Sequence, residues 1–147
     1  MKHLLLAFIA SLALTACHAA EEGHATWLTN YEQALAAAKK DKKLVLMDFT
    51  GSDWCPPCKA LHKNVLATKD FAEYAEKHLV LVEVDFPNSK PQSDELKKHN
   101  AELAKKFGIE GYPTIIVVDA QGKELSKEVG YRGDTPKSFI GKLEKLK

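Results

Sequence analysis

Leu44-Val45-Leu46-Met47-Asp48-Phe49-Thr50-Gly51-Ser52-Asp53-Trp54-Cys55-Pro56-Pro57-Cys58-Lys59 changes character along its length. It opens as a short, nearly continuous apolar run, the pattern of a strand covered on both faces. Pro56 and Pro57 then suit a first helical turn, where no backbone N–H is needed, and Leu61, Val65 and Leu66 give the following segment an apolar face. A cysteine pair therefore stands where a buried strand hands over to the start of a helix.

Working outward, Thr29 or Asn30 caps a helix through Tyr31, Ala34, Leu35 and Ala38, which ends in the charge run Lys39 to Lys43, read as a solvated helix end. After the motif, Asp70 to His78 reads as a helix burying Phe71, Tyr74 and Ala75, followed by the strand Leu79 to Asp85. Pro87-Asn88-Ser89-Lys90-Pro91 breaks the chain, and Ser93 or Asp94 opens a helix carrying Leu96, Leu103 and Phe107 that stops at Gly108. Thr114 to Val118, a turn at Asp119 to Gly122 and Glu124 to Val129 read as a β-hairpin. Thr135-Pro136 starts a last helix through Phe139, Ile140, Leu143 and Leu146. This alternation predicts an α/β fold: a mixed central sheet with parallel crossovers, an antiparallel hairpin at one side and helices on both faces.

The chain has 147 residues, 45% hydrophobic and 28% charged, which suits one globular domain with one core. Its net charge of +1, with lysines interleaved among Asp and Glu, is no footprint for nucleic acid, so no nucleic-acid partner is expected. The N-terminus carries an address. Lys2 and His3 precede an apolar run from Leu4 to Leu14, too short to span a bilayer but of the size of a signal-peptide core. Leu14-Thr15-Ala16-Cys17 resembles the bacterial lipobox, which makes 1–16 a lipoprotein-type leader, Cys17 a lipidated anchor, 17–25 a tether and 26–147 the domain. The alternative is ordinary cleavage after Ala19. Either way the mature domain is expected outside the cytoplasm, in the cell envelope or periplasm, touching a membrane only through Cys17.

Of the three cysteines, Cys55 and Cys58 then remain as the mature pair. So short a loop adds little by restricting the unfolded chain, so the value of the pair is chemical. A thiolate attacks a disulfide to give a mixed disulfide, which a second thiol resolves. A helix N-terminus presents unpaired amide hydrogens and partial positive charge that favour thiolate. Cys55 is thus the expected nucleophile, exposed and with a pKa below the free value of about 8.5, and Cys58, shielded one turn inside, the resolving thiol. Trp54 offers an apolar surface over the pair. A structural zinc site would need two more ligands, and haem attachment a histidine where Lys59 stands.

The segment Phe49 to Lys59, with Trp54-Cys55-Pro56-Pro57-Cys58, resembles the active site of the thioredoxin superfamily, and Gly111-Tyr112-Pro113-Thr114 resembles that family's cis-proline loop. The order of elements from Asn30 onward is also similar to the thioredoxin fold. The resemblance implies a redox-active Cys55–Cys58 disulfide, a cis Pro113 beside it, and substrate contacts from Trp54, Tyr112 and Pro113. It also implies that Asp48 assists proton transfer to the resolving cysteine. Here the sequence departs from the family: Thr50-Gly51-Ser52-Asp53 adds a residue between strand and motif, so that either Asp48 is displaced or a bulge at Gly51 absorbs the extra residue. A second departure is the long stretch Pro87 to Glu102.

Strong oxidants of the superfamily carry a histidine between their cysteines; Pro56 and Pro57 stand there, which favours a disulfide reductase or interchange role. The implied partners are disulfide-containing exported proteins and a membrane or soluble electron donor, with no cofactor, for a monomeric enzyme. The alternative class is an exported copper- or zinc-binding protein using Cys55, Cys58 and His62.

Overall fold

The structure is a computed structural model, describing residues 25–147. The leader and Cys17 lie outside the described residues. Five strands, β1 (Trp27–Leu28), β2 (Leu44–Thr50), β3 (Leu79–Asp85), β4 (Thr114–Val118) and β5 (Glu124–Val129), form one sheet in the order β1-β3-β2-β4-β5. β1 and β2 pair with β3 in parallel, whereas β4 is antiparallel to both β2 and β5. This is the mixed sheet expected from the alternation of elements, with the motif leaving its central strand.

The helices are α1 (Tyr31–Asp41), α2 (Pro56–Leu61), α3 (Lys69–His78), α4 (Asp94–Lys106) and α5 (Pro136–Glu144). Where the sequence left two candidate caps, the structure chooses: Asn30 Oδ1 accepts from Gln33 N at 2.8 Å, and Ser93 Oγ from Leu96 N at 3.2 Å. Each satisfies an amide that the first turn leaves without a partner. α2 does not run on as an α-helix through Leu66; it passes into a π-helical turn, His62–Leu66, before Thr68 caps α3.

Because side chains alternate across a strand, β2 builds two cores at once. Val45, Met47 and Phe49 pack with Tyr31 and Ala34 of α1, Leu103 of α4 and Phe107. Leu46 faces the other way, toward Leu61, Val65, Phe71, Phe139 and Leu143 from α2, the π-helical turn, α3 and α5. Each fully buried Leu or Phe contributes about 1.5–3 kcal/mol, so this two-sided burial is what holds β2 in place.

Three details differ from the sequence reading. β1 was not foreseen, and Ala25, assigned to the tether, packs against the α2-side core. Leu96 is only half-buried; α4 turns Asn100 and Leu103 inward instead, because Asn100 has a polar partner to reach at the end of β3.

Candidate active site

The extra residue does not disturb β2. Pairing with β3 runs without a break from Leu44 opposite Leu79 to Thr50 opposite Asp85, and no bulge forms at Gly51. The insertion is taken up after the strand, in a turn closed by Trp54 N and Cys55 N, which donate to Gly51 O at 3.3 and 2.9 Å. Gly51 has no side chain for a reason: a Cβ there would collide with the Trp54 indole, with Cζ2 at 2.7 Å. Asp48 therefore keeps its strand position, and the bulge alternative is corrected.

Cys55 occupies the N-cap of α2, with Pro56 and Pro57 behind it. Neither proline has an N–H, so among the first helical positions Cys58 supplies the free amide, and its N–H donates to Cys55 Sγ at 3.3 Å. The two cysteines are joined in a disulfide, Cα to Cα 5.3 Å. Both are 3% exposed. Exposure was expected to separate them; in the disulfide state it does not, because the short turn buries both sulfurs together. What separates them is position: Cys55 Sγ receives the helix-end amide and Cys58 lies in the helix.

The surroundings of the pair are aromatic. Trp54, 42% exposed, meets Tyr112 edge to face at 5.9 Å, and Tyr112 lies 5.3 Å from Phe86. The Tyr112–Pro113 peptide is cis, and Pro113 is buried. Contact between Tyr112 and Trp54 thus brings the two motifs, far apart in sequence, to one place.

Asp48 shares a sheet face with Leu46, two residues away, and so lies under the α2 side. It is 6% exposed, with Ile115 opposite on β4 and Glu83 opposite on β3, and its Oδ1 has no hydrogen-bond partner. Burial, reinforced by the charges of Glu83 and Asp85, pushes its carboxyl up to about 8. Glu83 is raised as well, by burial and then by Asp85, although Lys90 and His62 partly offset this.

Sequence reasoning missed the network that docks the segment after β3. The Asp53 carboxylate accepts from Asn88 N, Ser89 N and Lys90 N at 3.0, 2.6 and 3.1 Å, which holds it below the usual carboxylate range. Ser52 donates through N and Oγ to the Asp85 carboxylate at 2.9 and 2.6 Å, and Lys90 Nζ donates to Ser52 Oγ at 2.9 Å. Trp54 Nε1 donates to Phe86 O at 2.8 Å. A visible signal existed: Ser52-Asp53, in the stretch lengthened by one residue, brings acceptors next to a proline-bracketed stretch rich in free amides. His62 forms no metal-ligating group with the cysteines; among the described residues no three His, Cys, Asp or Glu side chains are grouped to hold a metal ion.

The family model described as a thioredoxin-like domain matches residues 31–147. The disulfide bond reductase DsbH of Chlamydia pneumoniae is 34% identical over 78% of this chain and 69% of its own length. The thioredoxin-related protein DsbJ of the same organism is 30% identical over 94% of this chain, which spans 40% of that protein. A solved structure titled DsbH oxidoreductase superposes with a TM-score of 0.79 at 29% identity, covering 93% of this chain and 94% of that one. With such relatives and a cysteine pair joined at the head of a helix, the chain belongs to the thioredoxin-like family and is a thiol-disulfide oxidoreductase.

Proposed function

We propose that this protein reduces disulfides of exported proteins in the cell envelope, with Cys55 as nucleophile, Cys58 as resolving thiol and Asp48 as the group that takes the proton of Cys58. The observation that carries the assignment is the amide of Cys58 donating to Cys55 Sγ at the cap of α2, since a donor aimed at one sulfur favours its thiolate. The name of a relative, a disulfide bond reductase, supports the reducing direction.

In the reduced enzyme the Cys55 thiolate attacks one sulfur of the substrate disulfide, forming a mixed disulfide and releasing the first substrate thiolate, which takes a proton from water. Cys58 gives its proton to the Asp48 carboxylate, attacks Cys55 Sγ and breaks the mixed disulfide. The second substrate thiol leaves, also protonated from water. Two electrons have passed from the dithiol to the substrate, and an external dithiol donor restores the enzyme. Trp54, Tyr112 and Pro113 form the surface that receives the substrate chain.

The leader 1–16 directs export and Cys17 carries acyl chains, since stable anchoring needs more than one. Intact-mass measurement on the membrane fraction tests this: a mature chain beginning at Ala20 without lipid mass would refute the anchor. The chemistry is tested by trapping. Cys58→Ser accumulates a mixed disulfide with substrate, and Cys55→Ser abolishes insulin reduction. Wild-type activity in Cys55→Ser, or faster alkylation of Cys58 than Cys55, would overturn the assignment.

A further inference from the structure

Asp48 presents a problem that the mechanism alone does not solve. A proton received from Cys58 must leave again before the next turnover, yet the Asp48 carboxyl is almost wholly buried and one oxygen has no hydrogen-bond partner. On one side its strand neighbour is Ile115, which can take no proton. On the other side it is Glu83, directly opposite across the parallel β2–β3 pair, and residues opposite in a ladder project to the same face. Glu83 interrupts an otherwise apolar alternation in β3 and is only half-buried, between the interior and water. Partial burial of a carboxyl at that place costs stability.

We propose that Glu83 is a positioning residue for the resolving step: facing Asp48 on the adjacent strand, it holds that carboxyl in its more basic form by its negative charge and carries its proton out to solvent. This rests on the reading of Asp48 as the proton acceptor of Cys58. The balance is simple. Asp48 gains the proton lost by Cys58; Asp48 then passes it to the Glu83 carboxylate, which releases it to water, and neither carboxyl is consumed. The charged and titratable groups that act on Glu83 are Asp48 from β2, Asp85 from β3, Lys90 from the 87–91 segment and His62 from the π-helical turn. Asp85 is already engaged by Ser52 N and Oγ, which leaves Glu83 as the carboxyl free to exchange a proton. Burial and Asp85 raise the Glu83 carboxyl, Lys90 and His62 partly offset this toward its ionised form, and its half-exposed position lets a proton arriving there pass to water.

The test follows the carboxyls and the reaction separately. In oxidised protein, whose cysteines do not titrate, Asp and Glu carboxyl carbons are labelled with carbon-13 and followed against pH in the wild type, Glu83→Gln, Glu83→Asp and Asp48→Asn. In parallel, the pH midpoint of mixed-disulfide resolution is measured by single-turnover mixing with a model peptide disulfide. Glu83→Gln should lower both the Asp48 titration midpoint and the resolution midpoint by about one pH unit, the size of a nearby charge effect. Glu83→Asp should restore most of it. Two coupled inflections should appear on both carboxyls in the wild type and collapse to one on Glu83 in Asp48→Asn. In an Asp48→Asn background, Glu83→Gln should leave the resolution profile unmoved. An Asp48 midpoint indifferent to Glu83→Gln, or a shift that persists without Asp48, overturns the role of Glu83 while leaving that of Asp48. A resolution profile unchanged by Asp48→Asn overturns both.

Discussion

Replacing Asp48 with Asn should make the oxidised protein more stable at alkaline pH, by an amount that grows with pH. The carboxyl is raised from an ordinary value of 3.8 to about 8 by burial and by the charges of Glu83 and Asp85. Between those values the folded chain holds a proton that the unfolded chain has released, so the stability contributed by this group is complete below about pH 4 and is lost as pH rises through the folded value. One proton corresponds to a slope of about 1.4 kcal/mol per pH unit, which accumulates to on the order of 5 kcal/mol at pH 9. Asn keeps the shape and cannot ionise. Urea unfolding of the oxidised wild type and Asp48→Asn from pH 5 to 9 checks this, since the remaining carboxylates and histidines titrate in both proteins and largely cancel in the difference. The difference should widen toward the variant up to about pH 8 and then level off. A difference constant across that range would mean that Asp48 is ionised when folded, and would refute the burial argument.

Gly51→Ala should push the Trp54 indole off its seat and break its bond to Phe86 O, costing about 1 kcal/mol of stability but about tenfold in kcat/KM on a protein disulfide, measured by insulin reduction with tryptophan fluorescence as the monitor. Asp53→Ala removes the acceptor of three amides, so hydrogen exchange at Asn88, Ser89 and Lys90 should accelerate by more than about tenfold while exchange in β2 is unchanged. In the wild type the same protection should survive acidification past the usual carboxylate pKa and disappear as pH falls through the lowered Asp53 value, because a depressed pKa means the ionised form is the bound one. Lys42 closes α1 at φ 55, a left-handed conformation that costs a side-chain-bearing residue about 1 kcal/mol, so Lys42→Gly should raise the urea midpoint by roughly that equivalent.

The elements that were legible are those whose signals are periodic. β2 and β3 are apolar runs of strand length, the helices repeat their apolar residues at three and four, and the turn at Asp119 is set by one side chain accepting from Gln121 N and Lys123 N at 2.9 Å each. β1 escaped because a strand of two residues has no period; Trp27 and Leu28 become a strand only by lying against Leu81 and Val82, which no local pattern encodes. The π-helical turn escaped for a related reason, since Leu61, Val65 and Leu66 satisfy an α-helical face equally well and the wider turn shows only in its hydrogen bonds, such as Ala67 N to His62 O at 2.8 Å.

The uncertainty over Asp48 has a different origin. A residue inserted between strand and motif alters the spacing to Cys55 identically whether it sits in the strand or in the turn, yet only the first would flip Asp48 to the other face of the sheet. Long-range pairing decides between them: β2 is clamped between β3 and β4 through Phe49, and slipping by one residue would bury Asp48 against α1 and expel the Leu46 face from its core. The turn has no such constraint, since Gly51 accepts the amides of both Trp54 and Cys55 and Ser52-Asp53 face outward to hold the segment after β3. The insertion therefore settles where it costs least. It leaves the buried Asp48 carboxyl in its place under α2 and lets the lengthened turn become the attachment point of a loop beside the cysteines.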